Sequence, residues 1–190
     1  MKEKILIITS NKSKIKEIST ILGEYGVETL AESIDIPEFR KDTLEDVSKQ
    51  KAITAFSLLQ KPLLVDDTGI FFEAFDEFPG VVTRFIFEKI GYEGILRLLE
   101  GKSRNAFYKS CITYIEKSNE PVIFTGEFHG TISEKPSLQE DPHFPYDSIF
   151  IPEGCSVPRI EQPLEKRIEG SHRRKALINF RDWYLSNSNR

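Results

Sequence analysis

The apolar residues in the first half of the chain follow strand spacing and helix spacing in turn. Residues 4–9, KILIIT, form a short β-branched run that is typical of a buried strand. After a polar turn, apolar residues recur at helical spacing and stop at Gly23, which predicts a helix. A second helical pattern covers Thr43–Leu59, with Thr43 as its predicted N-cap. The apolar run after it predicts a short strand over residues 63–66 that ends in a turn.

The second half predicts a helical region, a hairpin and a closing helix. Residues 81–100 have the pattern of one or two helices. Two long predicted strands, 106–115 and 121–132, are separated by a short polar turn, which predicts an antiparallel hairpin. The segment 133–163 contains six prolines and is mostly loop with one short strand. With a last helix over residues 171–185, these patterns predict an α/β fold with a mixed sheet.

The composition limits the classes of protein to which the chain can belong. Its 190 residues, 39% of them apolar, can bury a full core, and we expect one domain over residues 1–190 with two lobes. The net charge of −4 argues against a nucleic-acid-binding surface, which normally shows a basic stripe. The apolar run near the N-terminus is too short for a secretion signal or a membrane span. We therefore expect Cys111 and Cys155 to be free thiols in a cytoplasmic protein with no membrane partner.

Two adjacent carboxylates, Asp66 and Asp67, end the predicted strand at 63–66 and precede Thr68 and Gly69. Ligands of open α/β sheets bind outside the carboxyl ends of strands, so a pair of acids at such an end is a candidate site. Aspartate, threonine and glycine are also ordinary turn residues. The residues alone leave open whether this segment is a functional site or a simple turn.

The turn TSNKSK joins the first predicted strand to the first helix. It places Thr9, Asn11 and Lys14 where the backbone N–H groups of a helix N-terminus favour phosphate. In the alternative interpretation Asn11 only caps the helix and Lys14 is a solvated lysine. Both interpretations stay open.

Two other polar segments lie beside predicted helix starts. Glu38 belongs to the irregular segment DIPEF, from which its carboxylate could join Asp67. Ser171, His172 and Arg173 lie at the start of the last helix, within EKRIEGSHRRKAL. The simplest interpretation of the latter segment is a capped helix with a solvated basic turn.

Six segments occur along the chain in a characteristic order: TSNKSKIKEI, DIPEF, LLVDDTGIFFEAFDEFPGVV, FTGEFHGTI, FPYDSIFIPEG and EKRIEGSHRRKAL. In this order and spacing they resemble the inosine triphosphate pyrophosphatase family over nearly the whole length. The resemblance implies a strongly twisted, elongated mixed sheet flanked by helices, with an active cleft between two lobes. It also implies a homodimer that uses Mg²⁺ to hydrolyse a nucleoside triphosphate to the monophosphate and pyrophosphate. Non-standard purine nucleotides such as inosine and xanthosine triphosphates are the implied substrates.

The resemblance also assigns roles to individual residues. The family's phosphate-binding residues match Thr9, Asn11, Lys14, Lys51 and Thr68. Asp67 matches the catalytic position, and Glu38 and Asp67 match the acidic residues that hold the metal. Carboxylates suit Mg²⁺ because it prefers oxygen ligands. Asp67, alone or with Glu38, would orient or deprotonate the water that attacks the α-phosphorus.

The family's base-binding positions match Phe144, Tyr146, Asp147, His172 and Arg173, with either Lys166 or Arg167 at one further basic position. An aromatic face stacks on the purine in this interpretation, and Asp147 or a backbone carbonyl accepts from N1–H. His172 or Arg173 donates to O6, an arrangement that rejects the amino group of adenine. Guanine shares O6 and N1–H with hypoxanthine, so its exclusion must come from the 2-amino position.

The segment 143–148, HFPYDS, departs from the family pattern of Gly-Phe-Gly-aromatic-Asp-Pro. Both glycines and the final proline are replaced. Pro145 has its φ fixed at about −65° by its ring. We therefore expect this loop to run differently. The same chemistry on a modified or pyrimidine nucleotide, or nucleotide binding without turnover, are the alternatives.

Overall fold

Six strands form one mixed sheet in the computed structural model, which describes residues 4–37, 41, 43–76, 78–117 and 120–187. The strand order is β2-β1-β3-β4-β5-β6. The strands are β1 Ile5–Ile8, β2 Thr29–Glu32, β3 Leu63–Phe72, β4 Asn105–Ile115, β5 Val122–Ile132 and β6 Phe150–Pro152. β1 runs parallel to β2 and β3, whereas β3, β4, β5 and β6 pair antiparallel in succession. The predicted mixed α/β fold and the predicted β4–β5 hairpin are therefore confirmed.

The helices lie on both faces of the sheet. They are α1 Lys12–Gly23, α2 Leu44–Leu59, α3 Thr83–Leu98, α4 Leu164–Glu169 and α5 His172–Asn187. Thr43 accepts the amide of Asp46 and caps α2, as predicted. The backbone of α3 is non-helical at Gly91, so the region 81–100 holds a bent helix. The short helix α4 was not predicted from the sequence. No helix within the described ranges is long and apolar enough to cross a bilayer.

The prediction of a short strand over residues 63–66 is wrong, because β3 continues to Phe72. Its partner β4 pairs with it along the whole length, with Asp66 opposite Ile112 and Asp67 opposite Cys111. The two aspartates therefore lie inside a long strand. β1 is shorter and its pairing with β3 ends at Val65. The aspartates still follow the carboxyl end of the parallel part of the sheet, which is where the sequence placed them.

Polar side chains divide the apolar packing on one face of the sheet. Near Leu64, α1 and α5 cover a core that includes Ile18, Ile112 and Phe180. Near Phe72, a second core includes residues of β4, β6 and α3. Asp66 and Thr68 lie between these two cores on β3, and Ser110 lies opposite Thr68 on β4. The face therefore has a polar gap between two apolar clusters.

The opposite face is covered mainly by α2. Leu63 and Val65 of β3 pack there against Ala52, Ala55 and Phe56. Successive side chains of a strand point to opposite faces. Asp67 consequently lies on the α2 side, while Asp66 lies on the side of α1 and α5.

Candidate functional site

Asp66 is the centre of a buried ion-pair network. Its Oδ2 accepts from Arg173 Nε at 2.9 Å and lies 3.1 Å from Lys14 Nζ. Its Oδ1 accepts from the hydroxyl of Ser110 at 3.2 Å. Burial alone would raise the pKa of Asp66, but the charges of Arg173 and Lys14 hold it well below its ordinary value. Asp66 is therefore ionised at neutral pH and joins α1, β3 and α5.

Arg173 is the cation of the same network and is almost completely buried. Glu17 and Asp66 both accept from its guanidinium, and Thr68 Oγ1 accepts from Nη2 at 3.2 Å. Glu17 also accepts from the hydroxyl of Ser171 at 2.9 Å. Burial opposes the charge of Arg173, but the two carboxylates raise its pKa above the ordinary value. The start of α5 is thereby tied to α1 and to the middle of β3.

Asp67 has a different environment on the other face. Its Oδ1 accepts from Lys51 of α2, whereas its Oδ2 is buried and has no hydrogen-bond partner among the described residues. A buried carboxylate oxygen without a partner is costly, which is consistent with a cation or a water as its natural partner. Glu38, the other predicted acidic ligand, lies outside the described residues. The described part of the chain contains no group of three His, Cys, Asp or Glu side chains that could hold a metal.

The edge of β3 is open where the two aspartates lie. β1 pairs with this edge of β3 up to Val65. The edge has a hydrogen-bond partner again at Ile70, whose amide donates to Thr83 Oγ1 at 2.9 Å. Between these points, residues 66–68 have no strand partner on that side within the described ranges. Lys14 Nζ reaches into this interval and donates to the carbonyl of Asp66 at 2.9 Å. Asp66 and Asp67 lie at this interval on opposite faces of the sheet.

The turn after β1 is organised by its own side chains. Asn11 Oδ1 accepts from the amides of Ser13 and Lys14 at 3.0 and 3.2 Å and caps α1. Thr9 Oγ1 accepts from the amide of Asn11 at 3.2 Å. Asn11 is thus an N-cap, while Lys14 is not simply solvated, because it enters the Asp66 network. The N-terminus of α1 lies beside the open edge of β3.

A cavity of about 230 Å³ lies on the face of α1 and α5, next to the polar gap. Phe144, Asp147, His172, Arg173 and Thr68 line it, together with residues of α1 and α4. The Arg173 guanidinium lies 5.8 Å from the centroid of the Phe144 ring. Four predicted base-binding residues and one predicted phosphate-binding residue therefore meet at one cavity. A second, more open cavity of about 410 Å³ beside α2 contains none of the predicted site residues.

His172 lines this cavity as a neutral imidazole. Its ring stacks on Tyr108, with the ring centroids 4.9 Å apart. Burial and the neighbouring charges of Arg173 and Arg159 lower the pKa of His172 well below its ordinary value of 6.5. Both ring nitrogens are buried and have no partner in the described part of the chain. A neutral imidazole offers one N–H donor and one acceptor to a ligand.

Asp147 is held by two arginines and a tyrosine. Arg159 Nη1 and Arg167 Nη2 both donate to Oδ2, the latter at 3.1 Å, and Tyr108 donates to Oδ1 at 3.0 Å. Arg159 Nη2 also donates to the carbonyl of Arg167 at 3.0 Å. The Nε atoms of both arginines are buried without a partner in the described segments. This corner of the cavity therefore presents N–H donors as well as a carboxylate.

Two predicted base-binding residues do not reach the cavity. Tyr146 is buried in the second core, where its ring contacts Phe72 and Phe87 and its hydroxyl donates to the carbonyl of Thr83 at 3.1 Å. Pro145 begins a short 3₁₀ turn over 145–148 that turns Tyr146 inward. Lys166 is exposed, whereas Arg167 lines the cavity. Of the two alternatives at this position, the structure therefore brings Arg167 to the site.

Three residues that line the cavity, Glu17, Tyr108 and Arg159, were not predicted from the sequence. Glu17 had a recognisable signal, because it is an acid on the apolar stripe of α1, next to Ile18 and one turn before Ile21. Tyr108 had no recognisable signal, because aromatic residues are common in strands. Arg159 lies in a short 3₁₀ turn within the long irregular segment, where its destination depends on the path of the loop.

Comparisons with known proteins show the family to which the chain belongs. The sequence model of the Ham1 family matches residues 5–183. The chain belongs to this family. It is 42% identical to a dITP/XTP pyrophosphatase of Methanopyrus kandleri, over 97% of each chain. A dITP/XTP pyrophosphatase of Hyperthermus butylicus is 40% identical, over 94% of this chain and 93% of the relative.

Solved structures support the fold of this Ham1 family member. A HAM1 protein from Coxiella burnetii superposes with a TM-score of 0.80 at 24% identity, over 96% of this chain and 98% of that one. At this identity the similarity concerns the fold alone. It agrees with the six-stranded mixed sheet and its flanking helices.

Proposed function

We propose that the chain is a nucleoside triphosphate pyrophosphatase that hydrolyses non-standard purine nucleotides, such as xanthosine and inosine triphosphates and their deoxy forms. The products are the nucleoside monophosphate and pyrophosphate. The observation that carries the proposal is the edge of β3 at residues 66–68, which has no strand partner on one side among the described residues. Thr68 of this interval lines a cavity large enough for a base, and its neighbour Asp67 has an unpartnered buried carboxylate oxygen on the other face. The names of the relatives support the same reaction.

In this proposal the base occupies the cavity and the phosphates extend along the unpaired edge of β3 at residues 66–68. Phe144 offers an aromatic face to the base, and the neutral His172 offers a donor for O6. Along the phosphate path lie the N-terminus of α1, Lys14 and Lys51. Positive helix dipole and ammonium groups at this place favour a polyphosphate chain.

Mg²⁺ is the proposed cofactor, and the unpartnered Oδ2 of Asp67 fits it. Glu38 is the second proposed ligand. The bound ion would neutralise charge on the phosphates and lower the barrier to water attack. Lys51 donates to Oδ1 of Asp67 and so fixes the orientation of its carboxylate. Asp67 is thereby positioned to hold the attacking water and to take its proton.

Base selection in this proposal depends on the His172 tautomer that donates to O6, because the other tautomer would accept from an amino group. An imidazole N–H that donates to O6 cannot pair with adenine. Adenine has an amino group at that position, so two N–H donors would face each other. Cytosine presents the same mismatch. The site is therefore expected to favour bases with a carbonyl at this position.

The test is pyrophosphate release in the presence of Mg²⁺ from xanthosine, inosine, adenosine, guanosine, uridine and cytidine triphosphates at one pH. We expect release from the xanthosine and inosine nucleotides and little from the adenosine and cytidine nucleotides. Activity confined to a pyrimidine nucleotide would replace the proposed substrate class. Nucleotide binding with no release from any member of the panel would contradict the proposed reaction.

We also propose that the chain forms a homodimer through α3. Val82, Phe85 and Ile90 are 37%, 52% and 41% exposed and belong to α3 or to the turn that precedes it. Three large apolar side chains on one exposed element are typical of an interface. We further propose a cytoplasmic location, since Cys111 is buried as a free thiol and Cys155 is free and exposed.

A further inference from the structure

Arg159 has a hydrogen-bonding capacity that its protein contacts do not use. Its side chain is 7% exposed, and it lines the cavity that holds Phe144 and His172. Nη1 donates to Asp147 and Nη2 donates to the carbonyl of Arg167. Nε is buried and has no partner within the described residues. A buried guanidinium N–H without an acceptor is costly, so a ligand in the cavity is expected to supply one.

The charges around Arg159 favour an electron-rich ligand group. Asp147 has one negative charge and is bound by two arginines, Arg159 and Arg167. Arg173 is neutralised separately by Glu17 and Asp66, and His172 is neutral. Asp147 together with its two arginines therefore has a net positive charge and a free donor, with Asp141 as a further carboxylate in the cavity lining.

We propose that Arg159 determines specificity at position 2 of the purine. This assignment rests on the proposed function. It supplies the discrimination against guanine, which the O6 contact cannot provide because guanine and hypoxanthine share O6. A carbonyl at position 2, as in xanthine, accepts from Arg159. A hydrogen there, as in hypoxanthine, leaves the donor unpaired but does not clash. An amino group there, as in guanine, places its N–H donors against the N–H donor of Arg159, so guanine is rejected.

The xanthine base strengthens this selection through its charge. It loses a ring proton near neutral pH, whereas hypoxanthine stays neutral there. The anion spreads charge over the carbonyl oxygen at position 2 and is attracted by the positive corner around Asp147. The preference for xanthine over hypoxanthine should therefore increase as the pH rises from about 5 to about 8.

The experiment compares wild-type protein with Arg159→Gln. Dissociation constants of xanthosine, inosine and guanosine monophosphates are measured by calorimetry, and kcat/KM is measured for the triphosphates. We expect the preference for the xanthine nucleotide over the hypoxanthine nucleotide to fall about ten- to a hundredfold, the range for a lost hydrogen bond to a charged group. Glutamine can accept from the 2-amino group, so binding of the guanine nucleotide relative to hypoxanthine should rise about tenfold. The variant should also lose the increase of the xanthine preference with pH.

Two further variants separate recognition from structural support. Arg159→Lys keeps the charge beside Asp147 and lacks the guanidinium Nε donor, so it tests the assignment even where the glutamine variant folds poorly. Arg174→Gln is the matched control, because Arg174 forms an ion pair with Glu24 and does not line the cavity. The control should leave the base preference unchanged.

The outcomes distinguish this inference from the proposed function. Equal losses for all three bases in both Arg159 variants, with an unchanged pH profile, would overturn the assignment and leave Arg159 as a support for Asp147. Absence of pyrophosphate release by the wild-type protein would contradict the pyrophosphatase proposal. The monophosphate dissociation constants would still test Arg159 in that case.

Discussion

At the scale of single residues, two neighbouring aspartates have opposite environments. Asp66 has all its charge compensated within the protein, by Arg173 and Lys14. Asp67 has one oxygen bound to Lys51 and the other without a partner among the described residues. A carboxylate with a free buried oxygen can bind a ligand or take a proton, whereas a saturated one stabilises the fold.

Replacement of Asp67 by asparagine should remove turnover and leave the fold intact. The change keeps the shape of the side chain but removes the base and the negative charge. We expect kcat to fall by about 10²–10⁴, the usual contribution of a general base, and the dissociation constant of the nucleotide monophosphate to change little. Steady-state kinetics and calorimetry provide the two readouts. A kcat close to that of the wild-type protein would exclude Asp67 from the chemistry.

The same change at Asp66 should affect stability instead. Asp66→Asn leaves Arg173 and Lys14 without their shared carboxylate in a buried place. Breaking a buried ion pair on one side costs about 3–5 kcal/mol of the free energy of unfolding. Urea denaturation of both asparagine variants is the measurement, and Asp67→Asn is the matched control. Equal stability of the two variants would contradict the division of roles.

At the scale of elements, the position of α5 depends on one glycine of β5. A Cβ at Gly126 would lie 2.2 Å from the carbonyl oxygen of His172 and 2.6 Å from the amide nitrogen of Ala176. These distances are well inside van der Waals contact, so the helix can approach the strand only where no side chain intervenes. The first turn of α5 carries His172 and Arg173. Its close approach to β5 therefore also places two residues of the cavity.

Gly126→Ala should displace the start of α5. We expect a loss of about 1–3 kcal/mol in the free energy of unfolding from overpacking, together with weaker binding of the base. Gly23→Ala is the control, since a Cβ at Gly23 would have no neighbour within 4 Å. Denaturation curves and monophosphate dissociation constants of both variants check the expectation. If Gly126→Ala bound nucleotides like the control, the contact would not position the site.

At the scale of the whole molecule, the buried His172 makes stability depend on pH. Its pKa is lowered well below 6.5 in the folded protein, so below that pH the unfolded chain binds a proton that the folded chain does not. The contribution is complete above pH 6.5 and is lost as the pH falls from there toward the folded pKa. Asp66 makes stability depend on pH in a more acidic range. Its stabilisation is complete above its ordinary pKa of 3.8 and decreases below it.

The His172→Phe variant should lose the first of these two effects. Phenylalanine can still stack on Tyr108 but does not titrate. Between the ordinary pKa of 6.5 and the folded pKa, we expect the wild-type free energy of unfolding to fall by up to about 1.4 kcal/mol per pH unit more than that of the variant. Urea denaturation at a series of pH values gives both slopes. Parallel slopes would show that another group causes the acid dependence.

The proposed dimer makes a prediction at the same scale. Phe85 is 52% exposed on α3, so Phe85→Glu should leave the fold of the monomer intact while placing a charge in the interface. We expect analytical ultracentrifugation to show a dimer for the wild-type protein and a shift toward monomer for the variant. Leu138→Glu is the control, because Leu138 is fully exposed and lies in the loop before β6. A wild-type monomer would contradict the proposal.

Local patterns were sufficient for most of the secondary structure and for part of the site. Apolar spacing located β1, α1, α2 and the β4–β5 hairpin, because burial on one face imposes a period on the chain. The cap at Asn11 and the cap at Thr43 are also local, since each side chain bonds to amides two or three residues ahead. The length of β3 could not be predicted from its own residues. Its extension past Asp67 depends on β4, which pairs with it from about forty residues away in sequence.

The assignments that depend on packing could not be read from the residue types. Alternation alone puts Asp66 and Asp67 on opposite faces of a strand, but the identity of each face depends on whether α2 or α5 covers it. Tyr146 and Arg159 show the same limit, since an aromatic ring expected at the base lies in the core and an arginine from a loop lies in the cavity. Residue order and spacing thus specify the chemistry available to this chain. Which charges meet, and which donor stays free for a ligand, follows from long-range contacts that no short segment contains.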